Sequence, residues 1–460
     1  MRILLITLFF ITSVVAFARE RIQVNENSEF IELSHETLRY TDSTKSLDIK
    51  KIVSLSESAW KIVGLNGFTP NVEWAHLLFE NSTEKDFDKV LYLNNLFTYE
   101  AEFYFIVNGK LQSESVVTGL SKPFNSKLYP DPMYPIMVHF PAKSKVDVYM
   151  RVRNPMSTTN TPLFLISHSK AVELKDTRMM ISFFWAGILT LSLVLSLFLY
   201  LSIRRKIFLH YLLLGTGTFM FCSANLGVIL LFLDSDPYQI SLDYYQLGAA
   251  LILIFMPRFL NGIAPIAQIN LLAWRVVELI GYMGLAIAFL YVFPFFKFNF
   301  FFTTLVANAL TGFTALIFLY LLVVLSIAAF RKTPRATSLF LVYLVNLGLA
   351  FVAVLLPLFG SDNNGFNTFL LILGGSIFET IAFMLLMTKV TLALYKEREV
   401  LYKQVQSNQE VMMSILMKGQ EAERKRFAQD LHDGFGQLIS SLNLNLSSLQ
   451  TIKKMIPVKG

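Results

Sequence analysis

Cysteine is nearly missing from this chain of 460 residues. The one cysteine, Cys222, falls inside an apolar run, which excludes a disulfide framework and a cysteine metal site. Histidine is sparse: there are six, and His35, His76, His139 and His168 are scattered at no metal-ligand spacing. Charge is scarce as well. Asp, Glu, Lys and Arg make up 16% of the chain against 54% hydrophobic residues, with a mean hydropathy of +0.51. A soluble protein of this length is less apolar and more charged. No P-loop or other phosphate-cradling glycine motif occurs. The net charge of +7 does not call for a nucleic acid partner. Much of it sits in short loops beside apolar runs, where it orients a chain in a membrane.

What is present falls into three blocks after a leader. Arg2, the apolar stretch Ile3–Val15 and the small-x-small triplet Ala16-Phe17-Ala18 read as a signal peptide over residues 1–18, cut after Ala18. Residues 19–175 are polar enough to be soluble, and they alternate with period two. Val146, Val148, Met150 and Val152 alternate with charged or polar neighbours, and the aromatic stretch Glu102–Val107 leads into Asn108-Gly109, a hairpin-turn signal. Prolines 123, 130, 132, 135, 141, 155 and 162 punctuate the loops. About eight short strands are expected, arranged as an all-β sandwich. Trp60, Trp74 and Tyr104 are candidates to stack on a ligand ring, with core packing as the other reading.

The second block, residues 179–394, holds seven apolar runs: Met179–Ile203, Ile207–Leu233, Leu242–Leu260, Val276–Phe296, Phe300–Phe330, Ser338–Phe359 and Asn367–Leu394. Each is long enough to cross a hydrocarbon core of about 30 Å. Loops after odd-numbered runs carry Arg204, Arg205 and Lys206, then Arg275, then Arg331, Lys332 and Arg335; those after even-numbered runs carry only Lys297 with Asp234, Asp236 and Asp362. The positive-inside rule places the first set in the cytoplasm, in agreement with the leader, which exports residue 19 onward. Seven transmembrane helices then leave the C-terminus inside. Glu379 lies near the middle of the seventh run, with Asn346 and Asn308 as candidate partners on neighbouring runs, for packing or for signalling. Glu278, His210, Arg258 and Lys389 lie nearer the cytoplasmic ends, where side chains snorkel. So few intramembrane charges argue against a transporter.

The third block is helical. Residues 395–422 form a coiled-coil linker in which Leu401, Val405, Asn408, Met412, Ile415, Gly419 and Ala422 step by four and three. Phe427, Leu431, Phe435, Leu438, Leu442, Leu446 and Leu449 continue the seam after a step of five, and such slips change local winding. A paired seam implies a homodimer. At the edge of that seam sits His432, with Asp433 beside it and Gln437 four residues beyond the acid. Neutral imidazole is a nucleophile near pH 7. An adjacent carboxylate takes or holds its proton during attack. Asp433 and Gln437 share a helix face. Gly434 and Gly436 either bare the helix around the imidazole or weaken it, and the leucine spacing beyond them favours the first reading.

The stretch Glu423–Gln437 resembles the phosphoacceptor helix of two-component sensor histidine kinases. Glu423, Arg424, Arg426, Ala428, Asp430, Leu431, His432, Asp433, Gly436 and Gln437 all match a core of the form E-R-x-R-hydrophobic-A-x-[DE]-L-H-D-x-x-G-Q. The resemblance implies that His432 is the phosphoacceptor, Asp433 its general base and Gln437 the residue that positions water in a phosphatase step. From Trp74 through Leu165 the segments W-A-H-L-L-F-E-N, V-L-Y-L-N-N, T-G-L-S-K-P-F and V-Y-M-R-V-R-N resemble the jelly-roll sensor domain of seven-transmembrane receptors with diverse intracellular signalling modules. The first membrane run resembles the same family.

The expected fold class follows: a membrane α-helical protein with an N-terminal extracytoplasmic all-β sandwich of jelly-roll type and a C-terminal cytoplasmic coiled-coil and phosphoacceptor helix. Its place is a bacterial inner membrane, crossed several times. Expected partners are a second copy of the chain, a response regulator and an extracytoplasmic small molecule, with carbohydrate the class that the resemblance favours. Residues 423–460 make an incomplete dimerisation hairpin, since Pro457 is expected to stop the helix. No cofactor is expected on this chain. ATP and Mg belong to a kinase domain missing from it or carried separately, so autophosphorylation by this polypeptide alone is not expected. The alternative is a catalytically silent receptor that modulates a partner kinase through its coiled coil.

Overall fold

A computed structural model describes residues 20–33, 36–61, 69–122, 131, 133–155, 162–232, 237–292, 299–358 and 366–455. The leader and Pro457 lie outside the described residues. The chain divides into two compact units, residues 1–384 and 385–460.

The first unit begins with eleven strands: β1 (Ile22–Gln23), β2 (Phe30–Glu32), β3 (Leu38–Asp42), β4 (Val72–Asn81), β5 (Phe87–Leu93), β6 (Glu100–Val107), β7 (Lys110–Leu111), β8 (Val116–Thr118), β9 (Tyr134–Phe140), β10 (Ser144–Arg153) and β11 (Leu163–Ile166). A seven-stranded sheet runs β1-β4-β10-β6-β7, with β3 also on β4 and β8 on β6; a four-stranded sheet runs β2-β11-β5-β9. The strands beyond the expected eight include β1 and β7, two residues each and too short to show a period. Strand β10 is the centre of the larger sheet. Its Val148 lies opposite Leu77 of β4 and Phe105 of β6. Val146, Val148, Met150 and Val152 are all buried, the pattern that alternation predicts. The two sheets meet face to face where Phe79 of β4 packs edge-on against Phe140 of β9, ring centres 5.5 Å apart. Asn108 and Gly109 both take positive φ, 48° and 78°, as the turn between β6 and β7 requires.

The opposite face of the larger sheet is covered as well. A short helix, α1 (Ile49–Val53), is capped by Asp48, whose side chain accepts from Lys51 N at 3.0 Å. Ile52 packs with Leu38, Trp60, Val72, Trp74, Ile106 and Tyr149 in a second small core.

Seven helices then follow the seven apolar runs: α2 (His168–Ile203), α3 (Lys206–Asn225), α4 (Pro237–Ile263), α5 (Leu271–Val292), α6 (Phe300–Phe330), α7 (Ala336–Leu358) and α8 (Phe366–Met455). Among the described residues six are long and apolar enough to cross a membrane; of α7, the described part Ala336–Leu349 is apolar and shorter than a crossing. Several bounds differ from expectation, two of them by more than two turns. The second run is not one helix, because α3 stops at Asn225 and Val228–Phe232 forms a separate 3-10 turn. Helix α2 starts at His168, ahead of its apolar run, with Ser167 Oγ accepting from Lys170 N at 3.2 Å. Ala171 and Leu174 in this head pack on Val90, Tyr92, Phe164 and Ile166 of the smaller sheet. The sandwich and the first membrane helix therefore share a core.

Small residues let helices α3 and α4 approach closely. A methyl group on Gly248 would sit 2.5 Å from Phe221 N and 2.7 Å from Gly217 O. Backbones approach this closely in membranes where neither residue has a side chain.

Candidate functional site

His432 lies on α8, which continues as helix through Gly434 and Gly436 to Met455. The helix is not ended by the glycines, and a methyl group on either would meet nothing within 4 Å. The His432 side chain is 88% exposed and that of Asp433 69%. His432 Nδ1 stands 3.4 Å from Asp433 Oδ1. That is a long contact in open solvent, and catalytic contacts of this kind tighten only when the reactant is bound. With Asp433 beside Nδ1, the other ring nitrogen, Nε2, is left for attack. Gln437 is one turn on, on the acid's side of the helix. The seam residues Phe427, Leu431, Phe435, Leu438 and Leu442 are exposed in the single chain, a row of apolar side chains with no cover in this unit.

In the sandwich, the three ring-stacking candidates differ in exposure. Trp74 is fully buried and Trp60 is 5% exposed; both belong to the small core under α1. Tyr104 is half-buried and stacks on Trp74 with ring centres 5.9 Å apart. The larger sheet is covered on both faces there, so the packing reading describes the two tryptophans.

Within the membrane block, Asn346 Nδ2 donates to Glu379 Oε2 at 2.8 Å, while Asn308 is exposed on α6. Trp185 Nε1 of α2 donates to Ser376 Oγ of α8 at 3.0 Å. Arg258 and Glu278 do not act singly. They pair across α4 and α5 at 3.1 Å, and the guanidinium also lies 4.8 Å from the centre of the Tyr282 ring. Their spacing of twenty residues carries no local period that would reveal the pair.

A further polar cluster escaped the sequence reading. Tyr92 Oη donates to Asp131 Oδ2 at 2.8 Å, and Met133 N donates to Asp131 Oδ1 at 2.9 Å. Arg178, 2% exposed in the head of α2, reaches the same phenol. Burial raises the Tyr92 pKa well above its ordinary value, so the hydroxyl stays a donor.

The comparisons fall on the same three blocks. Residues 34–167 match the family described as 7TMR-DISM extracellular 2, residues 178–389 the family 7TM diverse intracellular signalling, and residues 423–457 the histidine kinase family HisKA_3. The three matches, in this order, are those of a 7TMR-DISM sensor histidine kinase. No curated protein matches this receptor. One solved structure is similar: a family 35 carbohydrate binding module from Clostridium thermocellum, at 10% identity over 30% of this chain and 99% of that one, with a TM-score of 0.17. One chain thus carries an extracytoplasmic domain, a membrane bundle and a two-component signalling segment.

Proposed function

We propose that the receptor senses a small molecule in its extracytoplasmic sandwich and thereby controls phosphorylation of His432, from which the phosphoryl group passes to a response regulator. The observation that carries this reading is the His432 imidazole, freely accessible beside Asp433 on α8, whose N-terminal part is the last apolar run of the membrane block.

The chemistry is balanced by these residues. Nε2 of His432 forms a bond to the γ-phosphorus of ATP, the bond from that phosphorus to the ADP oxygen breaks, and the imidazole proton passes to Asp433. In this reading a kinase ATP-binding domain supplies ATP and its Mg. A carboxylate of the response regulator then takes the phosphoryl group from Nε2. Gln437 positions the water that later hydrolyses the regulator's acyl phosphate. The receptor works as a homodimer in a bacterial inner membrane, with the seam from Leu401 to Leu449 closed between two copies and the basic loops in the cytoplasm.

The test is phosphopeptide mass spectrometry at neutral pH on the intact receptor taken from cells. Acid-labile phosphate on His432, lost in His432→Gln, is expected. Unphosphorylated His432 under every growth condition, or normal signalling by His432→Gln, would favour the silent receptor instead.

A further inference from the structure

We propose that the end of the larger sheet where β4 and β6 begin and β10 ends is a binding site for a small carboxylate-bearing molecule. The inference rests on the reading of the sandwich as the sensing domain, and it names where and what that domain binds. A cleft of about 280 Å³ opens there. Its size is at the lower end of small-molecule pockets, which run from about 300 Å³ upward. It therefore suits a dicarboxylate or a single acidic sugar rather than a chain of rings.

The walls are cationic. Lys45 and Arg153 line the cleft together with Pro70, Asn71, Tyr99 and Pro155. Among the described residues no carboxylate lines it. The nearest to Arg153 is Glu100, loosely placed at 3.9 Å from Nε and shared with Arg151 at 3.6 Å. Asp42 lies under the Lys45 loop, but its oxygens are taken up by that loop's own backbone.

The Arg153 guanidinium and the Lys45 backbone are held in place before any ligand arrives. The Arg153 guanidinium lies over the Tyr99 ring, 5.0 Å from its centre. Tyr99 is itself tied to the end of β10, since Tyr99 N donates to Asn154 Oδ1 at 2.7 Å and Asn154 is buried. A stacked guanidinium keeps the edge of its fork for a planar, two-oxygen acceptor. Lys45 takes a left-handed backbone, φ 60°, which a lysine rarely adopts. It is fixed by Asp42, which accepts from Thr44 N and Lys45 N on one oxygen and from Leu47 N on the other. A strained residue that its surroundings over-determine is a marker of function. Here it carries a charge into a cleft that already holds an arginine.

The experiment uses the intact receptor in lipid nanodiscs, with calorimetric titration and thermal unfolding. The probes are succinate and glucuronate with their neutral counterparts succinamide and glucose, citrate with its neutral counterpart citramide, and inorganic phosphate. At least one carboxylate is expected to bind saturably and raise the unfolding temperature, while its neutral counterpart and phosphate do not. Arg153→Gln and Lys45→Asn are each expected to weaken that binding by roughly tenfold or more, the loss of one charge-assisted bond. Asn is chosen at 45 because it tolerates the left-handed backbone. Lys85→Gln, a surface charge paired with Glu26, is the control and should leave binding unchanged. The proposal fails if none of the three carboxylates binds, if a neutral counterpart or phosphate binds as tightly, or if both cleft variants bind like the parent. His432 phosphate is read separately. Binding with no change there would overturn the signalling reading and leave the cleft standing; absence of binding would overturn the cleft alone.

Discussion

Asn346 of α7 donates to Glu379 of α8 at 2.8 Å, an amide–carboxylate bond inside an apolar helix bundle. Such interhelical bonds contribute less than hydrocarbon surroundings suggest, because the separated helices find other partners. A double-mutant cycle with Asn346→Leu and Glu379→Leu should give a coupling of about 0.6 to 1.7 kcal/mol in detergent unfolding. Glu379→Gln should retain most of it, because the amide oxygen can accept the same bond. A coupling near zero would show that the two side chains do not hold α7 to α8.

The crossing of α3 and α4 makes a sharper prediction. A methyl group on Gly248 would collide with Phe221 N and Gly217 O, both backbone atoms that no side-chain rotation can move. Gly248→Ala should therefore lower the unfolding temperature in spite of alanine's better helix propensity. Gly312→Ala, where nothing lies within 4 Å, should be neutral or stabilising by up to about 1 kcal/mol. Equal effects at the two positions would remove the close approach as the explanation.

What was legible in the chain is what burial writes at a fixed period. The alternation of Val146, Val148, Met150 and Val152 names the inward face of β10 because a strand between two others must bury every second residue. Seven apolar runs name seven helices because lipid leaves the backbone no other partner. His432, Asp433 and Gln437 are adjacent in sequence, so their grouping needed no fold. Relationships between distant segments were not legible. The head of α2 from His168 is too polar to extend an apolar run, yet Ala171 and Leu174 bury it against β5 and β11. For Trp60 and Trp74 the sequence left packing and ring stacking both open, because the cover over their face, α1, is only five residues long. Tyr92, Asp131 and Arg178 converge from three separate segments, and no spacing announces them.

The loop under Lys45 should make stability depend on acid. Burial works to raise the Asp42 pKa, but the Thr44 hydroxyl and the backbone N–H groups of Leu47, Lys45 and Thr44 together outweigh it and hold the carboxyl below its ordinary value of 3.8. A group with a depressed folded pKa contributes stability that is complete above the ordinary value and is lost as pH falls below it toward the folded one. Asp42→Asn should thus destabilise the receptor by a constant amount above about pH 5, with the difference from the parent shrinking in more acidic solution. A difference that stays constant down to strong acid would mean that the carboxylate charge is irrelevant there.

The seam on α8 can be mapped with little background, since Cys222 is the chain's one cysteine and is buried. In a Cys222→Ala receptor, single cysteines at Val405, Met412 and Leu431 should crosslink two copies under mild oxidation. Cysteines at Lys403 and Glu410, on the outer side of the heptad, should not. All five positions are exposed in the single chain, so exposure alone predicts no contrast between the two sets. Uniform crosslinking at all five would argue for a helix without a fixed pairing face.

Asp433 and Gln437 share one side of the helix but are assigned different steps, and their variants should separate them. Asp433 stands 3.4 Å from His432 Nδ1, placed to accept the proton released as Nε2 is phosphorylated. Removing a positioned base costs on the order of 10²- to 10⁴-fold in rate, so Asp433→Asn should slow phosphate entry at His432 by that much. Gln437 makes no contact with the imidazole that its role requires. Gln437→Ala should leave phosphate entry unchanged and lengthen the lifetime of the phosphorylated response regulator. Both are read in membranes that hold the receptor and its kinase partner, by following phosphohistidine and then regulator phosphate over time. If Gln437→Ala slows entry, or Asp433→Asn changes only the regulator's lifetime, the two roles have been assigned to the wrong residues.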